Sequence, residues 1–407
     1  MIYNNCHCCG SELNKLVYDF GLMPAVNSYI TLKDVEKEIK FPLSLYICDK
    51  CWLLQLNYVP APELLFTEYH HVSGASVGNV QHLKSVSLVL DNLLKSKKSK
   101  IFEIGCNDGT LLKFLNLMGH DVLGCDPAKN IDQPKELNIY KDFFNINIAN
   151  KIINEHSKFD MIIGINVFAH NAGFMNMIQG CEVMLEENGI LMVEVAYALD
   201  TVCDGNFDTI YHEHVCSYTL ISLNNVLQRV GLSIYDATLI STQGGSLRVF
   251  AKKQKNSIKH TKSYTLIYEN EVKNNINNIN FYQGLSIIIE NKINKIKLFL
   301  KDMLKNNKKL LIVGAPARGV VTLNVCDINL TDKAVIIDDT REKQGKIMPG
   351  VHLPVYAWEK INFTDYEDIL ILSWNYADGL INRIKNKKYI GNLYIPFPEF
   401  RVIKINK

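Results

Sequence analysis

The segment of residues 101–115, IFEIGCNDGTLLKFL, constrains the fold more than any other part of this chain. Its apolar first residues predict a buried strand that ends at Gly105, where the backbone turns closely past a ligand. Gly109 then allows a helix to begin with its first amides exposed, and exposed amides at a helix start attract anionic groups. A strand, a glycine turn and a helix in this order are typical of an α/β fold.

The same alternation of strand and helix continues on both sides of this segment. Strands are predicted in DVLGCD, FDMIIGINVF and GILMVEVAY, with helices between them, so we expect a parallel sheet covered by helices on both faces. A second α/β unit opens at KLLIVGAPARG and continues through KAVIIDD and DILILSWN. Between the two units, residues 262–308 are polar with apolar residues at helical spacing, which predicts one long connecting helix.

Composition and charge exclude several classes of function. The chain has 44 basic and 42 acidic residues, so it lacks the basic excess that nucleic-acid binding requires. No charged-then-apolar leader and no apolar run of membrane-spanning length are present, so we expect no membrane partner. Eleven cysteines without such a leader predict a reducing, cytoplasmic location.

Four of the cysteines form two Cys-x-x-Cys pairs near the N-terminus. Their thiolates suit a tetrahedral zinc ion held by Cys6, Cys9, Cys48 and Cys51. Two such pairs are unlike ordinary core cysteines, but the gap between them is longer than in a short zinc ribbon, so His7 or Cys8 stays open as an alternative ligand. Four cysteines leave no open coordination position, which favours a structural zinc over a catalytic one.

The turn after the first strand also fits a methyl donor. It suits the carboxylate and sulfonium end of S-adenosylmethionine, and Asp108 is placed to take the amino group. About twenty residues on, Asp126 ends the next strand near the expected ribose hydroxyls, and the dinucleotide pattern G-x-G-x-x-G is absent. The predicted donor-binding residues are Glu103, Gly105, Asn107, Asp108, Gly109, Asp126, Asp142 and Phe143.

The GAPARG segment imitates a dinucleotide-binding turn. A strand precedes Gly314, a helix follows Gly319, and the next strand ends in two aspartates. Pro316 stands where the pattern has its middle glycine, which disfavours NAD, while Arg318 can meet a phosphate. Binding of a nucleotide or diphosphate is the better supported interpretation, and a turn without a ligand is the alternative.

The densest group of acid–base side chains is Tyr211, His212, Glu213 and His214, in FDTIYHEHVCSY. Such groups are costly to bury unless they are satisfied or used. A methyl donor beside this group suggests that a proton leaves before a methyl group arrives. That favours methylation at carbon, because a hydroxyl or amine needs no such base. His212 fits a structural role as well as a chemical one.

Motifs along the whole chain carry a resemblance to one family. They are C-x-x-C…C-x-x-C, EIGCNDGTLL, NVFAH, VEVAY, FDTIYHEH, GGSLRVF, GAPARG, KQGKIMPGVHLPV and LSWNYAD. In this order they resemble the three-part nucleotide-sugar C-3-methyltransferases of deoxysugar pathways, which methylate NDP-4-keto-6-deoxyhexoses. The resemblance implies an N-terminal domain that binds zinc, a central domain that binds S-adenosylmethionine, and a C-terminal domain that helps to hold the nucleotide of a nucleotide-linked keto-sugar.

The resemblance also implies roles for individual residues. The last histidine of Y-H-E-H, His214, is the implied base, and the implied catalytic set is completed by Tyr211, Glu213, Asn166 and His170. His214 would take the C3 proton, whose removal becomes feasible when the developing enolate oxygen meets preset donors. The implied substrate-binding residues are Tyr69, Gly244, Gly245, Ser246, Arg248, Gly314, Arg318, Trp374 and Asn375.

A few positions depart from the family's pattern. Gln243 stands where the family often has histidine, and Arg318 where it often has lysine. His71 replaces a tyrosine, and an aromatic residue expected after Y-H-E-H is Ser217 here, with Tyr218 one place later. Because Y-H-E-H itself is intact, these departures bear on the identity of the sugar more than on the chemistry.

The predicted fold class is therefore α/β, with an N-terminal zinc-binding module, a central Rossmann-like methyltransferase domain and a C-terminal Rossmann-like α/β domain. The predicted bounds are 1–72 for the zinc module, 73–260 for the methyltransferase domain, 261–308 for the connecting helix and 309–407 for the C-terminal domain. The oligomeric state is open. Two rival functions remain: an O- or N-methyltransferase on the same scaffold, and a non-catalytic nucleotide-sugar binding protein.

Overall fold

The computed structural model describes residues 1–67, 72–95, 97–170, 172–241, 245–254 and 258–406. The chain forms two compact units, each assembled from three segments. The first unit comprises Met1–Lys15, Tyr46–Leu199 and Glu213–Asn278, and the second comprises Leu16–Leu45, Asp200–His212 and Ile279–Lys407. Among the described residues, none of the helices has the length and apolar character needed to cross a membrane. The domain bounds given above remain a prediction.

The strands and helices occur in the following order. The strands are β1 Leu16–Pro24, β2 Lys40–Ile47, β3 Leu54–Leu56, β4 Lys100–Ile104, β5 Asp121–Cys125, β6 Asn138–Tyr140, β7 Phe159–Ile165, β8 Leu185–Ala196, β9 Cys216–Ser217, β10 Leu232–Ile240, β11 Ser246–Lys253, β12 Leu310–Val313, β13 Ala334–Ile337, β14 Val355–Tyr356, β15 Asp368–Ile371, β16 Gly391–Ile395 and β17 Arg401–Ile405. The helices are α1 Pro62–Phe66, α2 Val77–Leu93, α3 Thr110–Leu117, α4 Ile146–His156, α5 Phe174–Met184, α6 Ala198–Asp204, α7 Leu220–Gln228, α8 Lys262–Lys273, α9 Ile279–Lys305, α10 Ala317–Asn324 and α11 Ala377–Lys385.

The first unit is built on a seven-stranded sheet in the order β10-β11-β8-β7-β4-β5-β6. Strand β4 pairs in parallel with β5 on one side and with β7 on the other. The chain therefore reverses its direction of travel across the sheet next to β4, and ligands of open α/β sheets bind at the carboxyl ends of strands at such a point. The predicted parallel sheet is confirmed, with an antiparallel edge formed by β10 and β11.

Helix α2 covers one face of this sheet. Leu83, Val86 and Leu90 recur at helical spacing and lie in one apolar cluster with Ile101 of β4 and Met161 of β7. The helix runs over Val77–Leu93. The packing fixes one face of α2 against the sheet and leaves its N-terminal turns close to the carboxyl end of β4.

The second unit is built on a six-stranded sheet in the order β14-β13-β12-β15-β16-β17. Strand β12 pairs in parallel with β13 and with β15, and only β17 runs antiparallel to its neighbour. The point where the strand order reverses lies here between β12 and β15. This unit confirms the predicted second α/β fold, and its own core includes Leu311, Ile337 and Ile369.

The stretch predicted as one connecting helix is two helices, α8 and α9. Four of the five residues in the break at 274–278 are asparagine, and Asn275 has a left-handed backbone with φ of 56°. Asparagine tolerates this conformation because its short polar side chain bonds locally. The apolar spacing continues across the break, so periodicity alone did not reveal it.

Candidate functional site

The four predicted zinc ligands form one cluster in the first unit. The sulfur atoms of Cys6, Cys9, Cys48 and Cys51 all lie within 4.8 Å of one another. Gly10 and Trp52 follow the two pairs with left-handed backbones, so each pair sits in a tight turn that aims both sulfurs at one point. Four sulfurs in this arrangement fit a structural zinc ion with a closed coordination shell.

Neighbouring groups complete the surroundings of the cysteines. Gln55 donates from Nε2 to Cys6 Sγ at 3.2 Å, as outer hydrogen bonds to zinc ligands do. The ring of His7 instead meets the carbonyl oxygen of Leu56 at 2.9 Å. His7 and Cys8, left open above as alternative ligands, are not members of the cluster.

The turn after β4 has the backbone that its glycines require. Gly105, Asn107 and Gly109 all have positive φ, at 66°, 53° and 73°. A Cβ on Gly105 would lie 3.0 Å from Cγ2 of Val167, so a side chain here is opposed by both backbone strain and contact. This turn forms the floor of a cavity of about 180 Å³ at the carboxyl ends of β4, β5 and β7.

Most of the predicted donor residues line this cavity. They are Glu103, Gly105, Asn107, Asp126, Asp142 and Phe143. Phe66, Asn79 and Leu83 line it as well, and sequence reasoning missed them because nothing in α1 or α2 signals a ligand.

Asp108 and Gly109 do not line the cavity. Asp108 Oδ1 accepts hydrogen bonds from the amide and hydroxyl of Thr110, and its Oδ2 accepts from the amide of Gly74 at 2.8 Å. It therefore serves the start of α3. The spacing of an acidic residue just before a helix was the available sign of this role.

The cavity is acidic. Glu103 is buried, and its Oε2 has no hydrogen-bond partner among the described residues. Burial, and then the charges of Asp126 and Asp108, raise the pKa of Glu103 well above its usual value. The two oxygens of Asp126 accept from the amides of Asn107 and Ala128, both at 2.9 Å, while burial raises its pKa. An unpaired buried carboxylate oxygen beside a second carboxylate fits a ligand with an ammonium group and hydroxyls.

Two of the predicted catalytic residues border the same cavity. Asn166 follows β7 with φ of 54°, and its amide donates to the carbonyl oxygen of Glu194 at 2.8 Å. His170 closes a short 3-10 turn, Phe168–His170. Both line the cavity.

His170 stands between two other rings. His214 stacks on it with ring centroids 5.4 Å apart and 15° between the planes. Phe66 stacks on it at 5.5 Å and 10°. The structure thus brings together two histidines that are 44 positions apart in the sequence, at the edge of this cavity. Glu213, next to His214, is buried.

The predicted residues of GGSLRVF have different positions. Tyr69 and Gly244 lie outside the described residues. Gly245 accepts from the amide of Tyr197 at 3.1 Å, and Ser246 is buried. Arg248 is directly opposite Glu194 across β11 and β8, and its Nε and Nη2 lie 2.9 and 2.8 Å from Glu194 Oε2. This ion pair depends on strand register, so no sequence motif announced it.

In the second unit, Tyr211 and His212 are both buried. The His212 ring meets the carbonyl oxygen of Pro42 at 3.0 Å and lies edge-on to Phe41. Burial lowers the pKa of His212. These surroundings favour the structural role that the sequence left open for this histidine.

The predicted nucleotide-binding residues gather at the carboxyl ends of β12 and β15. A Cβ on Gly314 would collide with Ser373 Oγ, so only glycine fits there. The guanidinium of Arg318 lies over the indole of Trp374, 5.4 Å from its centroid, while Asn375 is exposed. Trp374 Nε1 donates to Asp208 Oδ2 at 2.7 Å.

Asp208 was not predicted as a site residue. It is wholly buried, and its Oδ1 has no hydrogen-bond partner in the described part of the chain. Burial raises its pKa, while the charge of Arg318 acts in the opposite direction. Only its position three residues before Tyr211 could have drawn notice.

Three family models match consecutive parts of the chain. A putative zinc binding domain covers residues 6–66, a methyltransferase domain covers 81–237, and a C-methyltransferase C-terminal domain covers 241–398. The C-methyltransferase NovU of Streptomyces niveus is 28% identical over 410 residues, which span 98% of this chain and 97% of that protein.

Other likenesses are shorter. A ubiquinone biosynthesis O-methyltransferase of Bartonella tribocorum is 32% identical over 107 residues, covering 25% of this chain and 43% of that protein. The crystal structure of magnesium protoporphyrin IX methyltransferase from Synechocystis PCC 6803 with bound SAM is 19% identical, covers 43% of this chain and 79% of that chain, and has a TM-score of 0.32. At that TM-score the structural likeness supports no further conclusion.

Proposed function

Because the chain belongs to the S-adenosylmethionine-dependent C-methyltransferases with an N-terminal zinc-binding domain, we propose that it methylates C3 of an NDP-4-keto-deoxysugar. We assign the cavity at the carboxyl ends of β4, β5 and β7 to the methyl donor and call it the donor cavity. The observation that carries this proposal is the stacked pair of His170 and His214 at its edge. Methylation at carbon needs a base close to the donor, whereas methylation of a hydroxyl or an amine does not need two imidazoles there.

S-adenosylmethionine supplies the methyl group from its sulfonium sulfur. We assign its ammonium group to Glu103, whose unpaired buried oxygen would gain a charged partner. Asp126 would accept from the ribose hydroxyls, and Asp142 and Phe143 would meet the adenine edge and face. Asn107, which also lines the cavity, would shape the turn around the donor.

His214 is the proposed general base that removes the proton from C3. A C–H bond beside a ketone is weakly acidic, so the developing enolate oxygen needs preset donors. Asn166, His170 and Tyr211 are the proposed donors to the sugar oxygens, and Glu213 would orient the imidazolium that forms on His214. The roles of Tyr211 and Glu213 rest on the Y-H-E-H motif.

We assign the nucleotide part of the substrate to the second unit. The amides of Gly314 and Ala315 already donate to Ile337 O and to Asp338 Oδ2, so these amides are taken. Contact with a diphosphate would therefore fall to Arg318, with Trp374 offering an aromatic face. Ligands of α/β sheets bind at such a reversal of strand order.

We also propose a reducing, cytoplasmic location, because zinc binding by the sulfurs of Cys6, Cys9, Cys48 and Cys51 requires these cysteines to be reduced.

The test is a reaction of the zinc-loaded enzyme with methyl-labelled S-adenosylmethionine and a panel of NDP-4-keto-deoxysugars. We expect label in the sugar, and NMR should show the new methyl carbon bonded to C3. A methyl carbon bonded to oxygen or nitrogen would establish the rival O- or N-methyltransferase, which the local likeness to a ubiquinone biosynthesis O-methyltransferase makes a defined alternative. Absence of donor turnover with every sugar would contradict the proposed substrate class.

A further inference from the structure

A buried network of three ionisable side chains adjoins the donor cavity without lining it. Its centre is Glu194 of β8, whose side chain is 1% exposed. Arg248 of β11 binds Glu194 Oε2 with two nitrogens, and His82 of α2 binds Glu194 Oε1 at 2.7 Å. Both carboxylate oxygens are thus engaged, one by each partner.

The network joins two walls of the cavity. His82 lies on α2 between Asn79 and Leu83, and both of these residues line the cavity. Through its main-chain oxygen, Glu194 also accepts from the amide of Asn166, which lines the cavity as well. One residue in the sheet therefore contacts both helix α2 and the turn after β7.

Further contacts hold the start of the same segment. The amide of Ser73 donates to Asn107 Oδ1 at 2.8 Å, and that of Gly74 donates to Asp108 Oδ2 at 2.8 Å. The Asn79 side chain donates to the carbonyl oxygen of Ser73 at 2.9 Å. These hydrogen bonds hold residues 73–79 against the glycine turn. His82, further along α2, binds the carboxylate of Glu194 in the sheet.

We propose that His82 is a positioning residue for the methyl donor, acting through Glu194 to hold α2 in place as a wall of the donor cavity. His82 does not line the cavity, and its effect is on the placement of Asn79 and Leu83. This inference goes beyond the proposed function, because it concerns donor binding and does not depend on which acceptor is methylated.

The energetic reason is the burial of Glu194. A hydrogen bond to a charged group contributes more than a neutral one, and a buried carboxylate that loses one partner retains its desolvation cost. Arg248 neutralises the charge but leaves Oε1 to His82. Without His82, Glu194 Oε1 needs another hydrogen-bond donor. Either water enters or α2 shifts to supply one, and both changes displace the part of α2 that lines the cavity.

The experiment measures S-adenosylmethionine affinity by calorimetry on the zinc-loaded, full-length protein. His82→Leu should weaken donor binding about tenfold, since it removes one hydrogen bond to a buried charge. His82→Gln retains an N–H donor and should restore most of the affinity. Gln81→Leu, on the exposed side of the same helix, is the matched control and should leave affinity unchanged.

Two further readouts separate positioning from general destabilisation. At saturating donor, the kcat of His82→Leu should stay within about threefold of wild type, because the reacting groups are elsewhere. In a Glu194→Gln background, His82→Leu should add little to the loss of affinity, because the two residues act through one contact.

The proposal is overturned if His82→Leu binds the donor as well as Gln81→Leu does. It is also overturned if His82→Gln fails to restore affinity while folding normally, or if kcat falls with donor affinity intact. These measurements require no acceptor for the binding step, so they remain decisive even if the proposed sugar substrate is wrong.

Discussion

Glu103 is held in surroundings that disfavour its charged form. It is buried, has an oxygen without a hydrogen-bond partner among the described residues, and stands near Asp126 and Asp108. A protein tolerates such a group where a ligand supplies the missing partner. A substitution of Glu103 should therefore change the stability of the protein and its affinity for the donor in opposite directions.

Glu103→Gln should stabilise the donor-free protein and weaken donor binding. The folded-state pKa of Glu103 is raised above its ordinary value of 4.5, so its contribution to stability is complete below that pH and is lost as pH rises through the raised value. Glutamine undergoes no such loss, and its advantage should grow with pH above 4.5. Thermal unfolding of both proteins across pH checks the sign, and calorimetry checks the affinity. An advantage that shrinks as pH rises would contradict the assigned cause.

His214 is the residue on which the proposed chemistry depends most. A general base contributes roughly two to four orders of magnitude in rate, so His214→Ala should lose methyl transfer by about that much while still binding the donor. His214→Asn should behave similarly, because asparagine forms hydrogen bonds but does not accept the proton. Single-turnover rates and donor calorimetry measure the two effects. Near-normal turnover in either variant would exclude His214 and leave His212 or Tyr211 as the next candidate.

At the scale of elements, the glycine turn between β4 and α3 has a backbone that requires glycine and lies at the cavity proposed for the donor. Gly105 has φ of 66° and faces Val167, and the amide of Asn107 is held by Asp126. A hydrogen bond thus joins the turn to the end of β5. A substitution in either should therefore change the affinity for the donor.

Gly105→Ala should obstruct this turn, and Asp126→Ala should weaken S-adenosylmethionine binding by removing the ribose contact. The expected loss for Asp126→Ala is on the order of 1–3 kcal/mol, typical of a lost buried polar partner. Gly284→Ala is a control for the glycine substitution, because its Cβ would meet no atom within 4 Å. Calorimetry that finds unchanged donor affinity in both Gly105→Ala and Asp126→Ala would place the donor elsewhere.

Local structure could be predicted from the sequence, whereas contacts between distant residues could not. Strand, turn and helix around Gly105 follow from local rules of backbone conformation and apolar spacing, and they are confirmed. The pairing of Arg248 with Glu194 depends on the register of two strands 54 positions apart, and the stacking of Phe66 on His170 depends on tertiary packing. Contacts between residues far apart in the sequence produce no periodic pattern along it. Asp108 shows the limit of local motifs: the sequence assigns its side chain to the donor, and in the structure that side chain accepts hydrogen bonds from Thr110 and Gly74.

At the scale of the whole molecule, the chain passes from one compact unit to the other and back. It leaves the first unit after Lys15 and returns to it at Tyr46. The cysteine cluster joins these two points, because Cys6 and Cys9 precede the excursion and Cys48 and Cys51 follow it. A metal ion at this cluster would therefore hold the two ends of the excursion together in the folded protein.

The purified protein should accordingly carry about one zinc ion per chain, and its stability should depend on it. Metal binding by a site that exists only in the folded state contributes to folding free energy. Cys48→Ser should lower both the zinc content and the unfolding temperature, and a strong chelator should lower the unfolding temperature of the wild-type protein in the same direction. Cys203→Ser, at an exposed thiol outside the cluster, is the matched control and should change neither quantity. Elemental analysis and thermal unfolding on the same samples test the link: zinc-free protein of undiminished stability would show that the four sulfurs hold the fold together without a metal.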